Sequence, residues 1–414
     1  MITICLAVTA SSSNAVGASI SVDVFNRYVG VVIGEYAEMT SYTGDIIIEA
    51  LAEDWQMAIT AAGAAAAGTA AIAGSISVVV GQNTVECLVN KNANLWAAGS
   101  IGVQSNLDSF IILPVMALAI GGNWSVGAAV SILILQNNIS SIIEGNSTLT
   151  AMVITTSDGI GKPRNREEKR KGVIVSATAK EDIYKISISG AAGGSVAVAG
   201  VVNTLVIRNV LRAQIKSWNN SALDAATHTV VSGADVEVES DDESHIVDVA
   251  GGVAAGGTAG VGATIVVAVF SRDLLASIGT NGTINASGGV RVSASSADDM
   301  DLIAVAFAAA GNVSVAGDAN VIVFKNITAA TAGGNITAGS LSITASSDVF
   351  VFNDGQGVAV GGTVGVVAVI IVTYVYNQTT ASLADYAVVT TTGAVQIAAS
   401  AAEDVIFVAA GAAG

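Results

Sequence analysis

The chain of 414 residues has little of four things that usually organise a protein: proline (two residues), cysteine (two), aromatic side chains (5%) and charge (12%). The low charge, set against 52% hydrophobic residues, excludes disorder, because such a chain buries enough apolar surface to offset its ordering entropy. Basic residues are scarce even among the charges: 16 Lys and Arg stand against 33 Asp and Glu, a net charge of -17. Six of the sixteen crowd into one stretch, GKPRNREEKRKG at 161–172, so the rest of the chain is more acidic still. Such a surface repels nucleic acid and anionic lipid and excludes DNA or RNA as a partner. The basic stretch, with Pro163 and alternating charge, reads as a solvated insertion loop rather than a partner site or nuclear-type signal.

Cys5 and Cys87 lie far apart in apolar, strand-like contexts with no metal-binding spacing, so two buried thiols are expected rather than a disulfide. The opening MITICLAVTASSS has no basic segment before its short apolar run, which makes it a poor signal peptide. What the chain does have is Ala, Val and 45 Gly. Val, Ile and Thr suit a pleated surface, and Ala, Gly and Ser suit places where backbones approach closely. At this length a single compact core is too large, so either several domains or an elongated architecture that adds core by repetition is expected.

A repeat is present. Strand-like segments ending in an acidic residue recur seven times, at Asp54, Asp108, Asp182, Asp242, Asp299, Asp348 and Asp404, roughly every 55 residues. The one long interval, Asp108 to Asp182, holds the basic insertion. In phase with these anchors, apolar runs end at a polar residue read as a corner: Asn26, Asn83, Asn138, Asn209, Asp273, Asn326 and Asn377. Between anchor and run lies a small-residue strand and a Gly-rich joint, and after the corner a short strand and a variable polar loop. Alternation is clean in the strand leading to the anchor, as in Val290, Val292 and Ala294 with Arg291, Ser293 and Ser295 opposite. The long run from Val366 to Tyr376 is apolar on both faces apart from Thr373, which predicts a strand covered on both sides, as in parallel sheets. The expected fold is all-β: an elongated parallel β-solenoid (β-helix) of about seven repeats, with residues 1–414 forming one continuous array. About three coils of roughly 18 residues per unit, or two longer ones, would fit.

The uncharged runs at 110–143 and 249–270 are long enough for membrane helices. Their Gly and β-branched content disfavours helix, and no Lys/Arg clusters or aromatic belts flank them. An outer-membrane β-barrel needs aromatic girdles, and 19 Phe, Trp and Tyr are too few.

No catalytic or cofactor-binding constellation emerges. The Gly-rich joints AGGSVAVAG and GGVAAGGTAGVG lead into strands rather than helices, which argues packing rather than dinucleotide binding. Five anchors are paired acids, Glu53-Asp54, Glu181-Asp182, Asp241-Asp242, Asp298-Asp299 and Glu403-Asp404. Stacked along one edge they would make Asp182, Asp242 and Asp299 weak Ca²⁺ candidates; the competing reading is a turn carboxylate beside a solvated neighbour. His228 and His245 have no nucleophile motif near them and are expected at the surface or a strand edge. Ten Asn-x-Ser/Thr sequons exceed chance association: Asn123, Asn138, Asn146, Asn219, Asn281, Asn285, Asn312, Asn326, Asn335 and Asn377. All fall in segments read as connections, where a glycan is tolerated.

The unit VGGTVGVVAVIIVTYVYNQTTASL, followed by TTGAVQIAASAAED, resembles the repeats of giant bacterial exported proteins of the adhesin, filamentous-haemagglutinin and autotransporter-passenger kind. The resemblance implies a non-catalytic stalk or fibre body at the cell surface or outside the cell. The chain begins and stops inside small-residue strands, from which continuation in a longer adhesin or head-to-tail self-association is expected. The alternatives are a carbohydrate-active β-helix enzyme, which needs acids and Arg or Lys gathered on one face of neighbouring coils, and the outer-membrane barrel.

Overall fold

In a computed structural model the chain is a parallel β-solenoid; residues 1–154, 158–217 and 228–414 are described. All regular structure among them is strand. An eight-stranded sheet runs from Ile2–Ser11 to Val395–Ala413, a seven-stranded sheet from Asn14–Ile33 to Val364–Leu383, and a seven-stranded sheet of short strands from Glu38–Ser41 to Val388–Thr391. These are the first, second and short sheets. Within each of the three, every strand pairs in parallel with its counterpart in the next repeat, as in Val175 with Val238 and Leu341 with Val395.

Each repeat is therefore one coil, not two or three. The strands are far longer than the segments read from the sequence: Ile46–Ala66 joins the strand before the anchor to the small-residue strand after it, and Ala70–Val89 joins the apolar run, the supposed corner and the short strand. Neither anchor nor corner is a turn. Both sit in mid-strand, because polar residues there are satisfied across the lumen rather than by a bend in the backbone. The coil is broad and flat. Sides of about 20 residues span about 70 Å, while seven coils at about 4.8 Å each rise only about 34 Å.

The lumen changes character along this width. Between the mid-strand positions and the short sheet, the stem of each coil is filled by large aliphatics such as Leu95, Ile101, Leu107, Ile139, Leu211 and Ile278. Beyond the mid-strand positions the two long sheets converge towards the Gly-rich turn, and the filling shrinks. In the strand Ala259–Ile278 the inward residues run Phe270, Ala268, Val266, Thr264, Gly262, Gly260 towards the tip. There the opposing backbones nearly touch: a Cβ on Gly262 would lie 2.4 Å from the Phe307 carbonyl oxygen, so only glycine fits.

Candidate functional site

The two repeat landmarks meet inside the solenoid. Cα pairing along the second sheet aligns Arg27, Asn83, Asn137, Asn209, Arg272, Asn326 and Asn377 in one inward column. Facing it from the first sheet are Asp54, Glu181, Asp242 and Asp298. Arg27 pairs with Asp54 at 3.1 Å. Asn137 and Asn209 both donate to Glu181, at 2.8 and 2.6 Å, and Asn209 also donates to Asp242 at 3.0 Å. Asn83 donates to Asn137 at 2.9 Å, and Asn326 to Ser347 at 2.7 Å.

Arg272 is the hub. Its guanidinium, fully buried, reaches Asp298 at 3.0 Å, Asp242 at 3.3 Å, Glu181 at 3.5 Å and the Ser244 hydroxyl at 2.6 Å. Three carboxylates thus share one cation. Burial pushes the Asp242 pKa well above the usual carboxylate range, Arg272 opposes the rise, and Glu181 and Asp298 add to it. A second buried pair lies nearer the tip: Lys185 Nζ stands 3.7 Å from Asp248 and donates to the Thr204 carbonyl at 2.9 Å. Burial lowers the lysine and raises the aspartate, and the charge of each opposes the shift of the other.

The alternation of the pleat explains the doubled acids. In each pair one member faces the lumen and its neighbour faces out. Asp54, Glu181, Asp242 and Asp298 point in; Glu53, Asp182, Asp241 and Asp299 point out. The Ca²⁺ candidates are consequently split. Asp242 is in the lumen, whereas Asp182 and Asp299 flank His245 in the pairing register on the outer face, and no group of three potential metal ligands occurs among the described residues. Asp182 pairs with Lys180 at 3.3 Å, and Asp299 meets His245 at 3.2 Å. His245 is part-exposed, but His228 is fully buried in the short sheet, where burial lowers its pKa to about 4.

The basic insertion is not a free solvated loop. A two-stranded hairpin, Ile160–Gly161 with Lys169–Arg170, lays it across the outer face of the first sheet. Arg170, almost wholly buried, pairs with Glu237 and Glu239 at 3.2 and 2.7 Å. Arg166 reaches Glu49 at 2.8 Å, three pairings away across the sheet, and Arg164 pairs with Asp241 and Glu243. The acidic face recruits the loop by charge, which composition alone does not reveal. Under its edge lies a polar cleft of about 570 Å³ lined by Glu53, Asp108, Lys162, Arg164, Lys180 and Asp241, among others.

Of the sequons, Asn123, Asn138, Asn146, Asn285, Asn312 and Asn335 are exposed. Asn281 and Asn377 are half-buried, and Asn219 lies outside the described residues. Asn326 is fully buried in the polar column, so the folded chain leaves no room for a glycan there. Both thiols are free, Cys87 buried and Cys5 partly so. Arg27, Asn137 and Arg272, essential to the column, each sit one place away from the residue the repeat pattern singled out. No signal in the sequence alone finds them, because these strands carry apolar residues on both faces and do not declare their phase.

Comparisons of the chain with protein-family models, with curated proteins and with solved structures give no match. No helix among the described residues is long and apolar enough to cross a membrane.

Proposed function

We propose that the chain is a structural segment of an extracellular or cell-surface fibre or stalk of the adhesin kind, non-catalytic, that assembles head to tail along the solenoid axis. The observation that carries this reading is the unbroken parallel register. Every coil presents the same three strand edges to the next, and the lumen's polar column continues from coil to coil, so added coils extend the same ladders and the same column. The exposed sequons suit decoration of such a surface, with glycans as covalent attachments rather than ligands. Electron microscopy of the purified chain, with fibre diffraction, tests it. Fibres with a meridional spacing of about 4.8 Å are expected. Particles that remain single slabs at all concentrations overturn axial assembly by this chain.

The cleft under the insertion supports a second reading, carbohydrate binding or cleavage, since it gathers acids with Lys162, Arg164 and Lys180 on one face of neighbouring coils. Reducing-end release from a panel of polysaccharides, compared with a Glu239→Gln variant, is the test. No release and no binding by the wild-type chain removes this reading.

A further inference from the structure

The outer face of the second sheet carries an unusual field. From the Gly-rich turn to the polar column, the first six outward positions of every strand are uncharged, and nearly all are Val, Ile, Ala or Gly. In Trp124–Ile143 they are Trp124, Val126, Ala128, Val130, Ile132 and Ile134. In Ala259–Ile278 they are Ala259, Val261, Ala263, Ile265, Val267 and Val269. The next outward column ends the field with polar groups, among them Gln82, Gln136, Arg208, Ser271 and Lys325. Large side chains in the field are open to solvent: Trp124 is 56% exposed, Ile265 41%, Val202 36% and Ile370 58%.

We propose that this field is the docking surface for a second copy of the chain, face to face, so that two solenoids join laterally through their second sheets. Area argues for it. Seven strands about 4.8 Å apart and eleven residues of about 3.3 Å give about 1,000 to 1,200 Å² per partner, against about 800 Å² per side in an ordinary stable interface. The shape fits as well: two flat sheets pack at about 10 Å, and the field has no charge to desolvate. Its borders also match, since the polar column on each copy falls at the rim.

A lipid surface is the weaker occupant. To submerge this field, the tip would carry the opposite face with it, where Met116, Leu118, Ile188 and Val253 are also exposed but the outward Asp301 and Gln356 interrupt the apolar surface. The net charge of -17 also repels anionic headgroups. The contact is independent of the axial stacking proposed above, because it uses sheet faces and leaves strand edges untouched.

Sedimentation equilibrium of the full chain, over a concentration series, gives the test. Below the concentration at which axial fibres form, a dimer is expected for the wild type. The double variant Val202→Lys with Ile265→Lys should weaken it by at least about 100-fold, because each lysine would be buried unpaired at the centre of the contact. Ile186→Lys, on the outer face of the first sheet, should leave the dimer intact. Circular dichroism separates loss of contact from loss of fold, and outward substitutions leave the lumen alone. A monomeric wild type, a dimer that survives the double variant, or one lost equally in Ile186→Lys overturns the proposal. So does co-flotation of wild-type monomer with phosphatidylcholine vesicles that the double variant abolishes.

Discussion

The two halves of each coil obey opposite rules. In the stem, large aliphatics fill the lumen and the outside is polar, with Glu237 and Glu239 on one face and Arg208 and Arg212 on the other. Beyond the polar column the lumen narrows from Leu133, Leu135, Phe270 and Phe324 to Ala, Ser and Gly near the turn, and Val and Ile stand outside, as in Val364–Leu383, where Val366, Ile370 and Val372 are exposed. The polar column is the frontier. It marks where the outer faces turn apolar; the lumen still takes Leu133, Leu135, Phe270 and Phe324 just beyond it and narrows to glycine only near the turn. The comparison teaches that a hydrophobic strand need not direct its largest residues to the core; the local gap between sheets decides which face is loaded.

The sharpest way to break the comparison is at the frontier. Arg272→Met should destabilise the fold by about 3–5 kcal/mol in urea denaturation, since Glu181, Asp242 and Asp298 are left buried without their cation. Adding Asp242→Asn and Asp298→Asn to that variant should restore much of the loss; no restoration would mean that Arg272 acts by packing alone.

Next come substitutions of opposite sense in the two halves. Leu211→Ala in the stem should lose about 2–5 kcal/mol through a cavity. Ala199→Leu at the tip should lose about 1–3 kcal/mol by forcing the sheets apart. A stabilising Ala199→Leu would show unfilled space at the tip and dissolve the distinction.

The halves also respond oppositely to pH. His228, in the stem, has a folded pKa near 4, below its unfolded value of about 6.5. The unfolded chain then binds the proton more readily, so stability is full above about pH 6.5 and falls as pH drops towards 4, by on the order of 3 kcal/mol. His228→Gln should flatten that limb of a stability profile. Asp318, in the tip lumen, is raised to about 7 by burial, with the Ala319 N–H opposing and Asp354 adding repulsion. Here the folded chain holds the proton more tightly, so stability falls as pH rises from about 4 to about 7 and is level above that. Asp318→Asn should remove this loss and stabilise the protein at pH 8. An unchanged profile in either variant assigns that limb to other groups.

The smallest effect is expected outside both lumens. Arg166→Ala breaks an ion pair whose arginine is half-exposed, and a change of about 0–1 kcal/mol is expected, shrinking further in high salt. A larger loss would mean that the insertion fastens the first sheet cooperatively.

Much of this architecture was legible beforehand. The shared period of acidic and asparagine landmarks implied stacked parallel coils, and the register bears this out. The number of coils per repeat was not legible, because polar residues inside long strands read as corners unless their partners across the lumen are known. Asn326 read as a loop sequon for the same reason, although it points into the column. The insertion read as solvated because its ion-pair partners, Glu49 and Glu237, lie more than a hundred and about seventy residues from Arg166 and Arg170 in sequence. Val366 to Tyr376 read as covered on both sides, whereas within this chain only one side is covered.

By itself, the sequence determined the class of fold: β-branched runs, scarce proline and a period near 55 residues leave parallel stacking as the arrangement that satisfies every backbone group. It also determined that acids and amides would recur once per repeat. Only the tertiary structure decided which of two adjacent acids turns inward, because an alternating strand with apolar residues on both faces does not declare its own phase. That choice rests on the narrowing space between two converging sheets, which admits Ala199 and Gly262 and turns Val202 and Ile265 out to the surface.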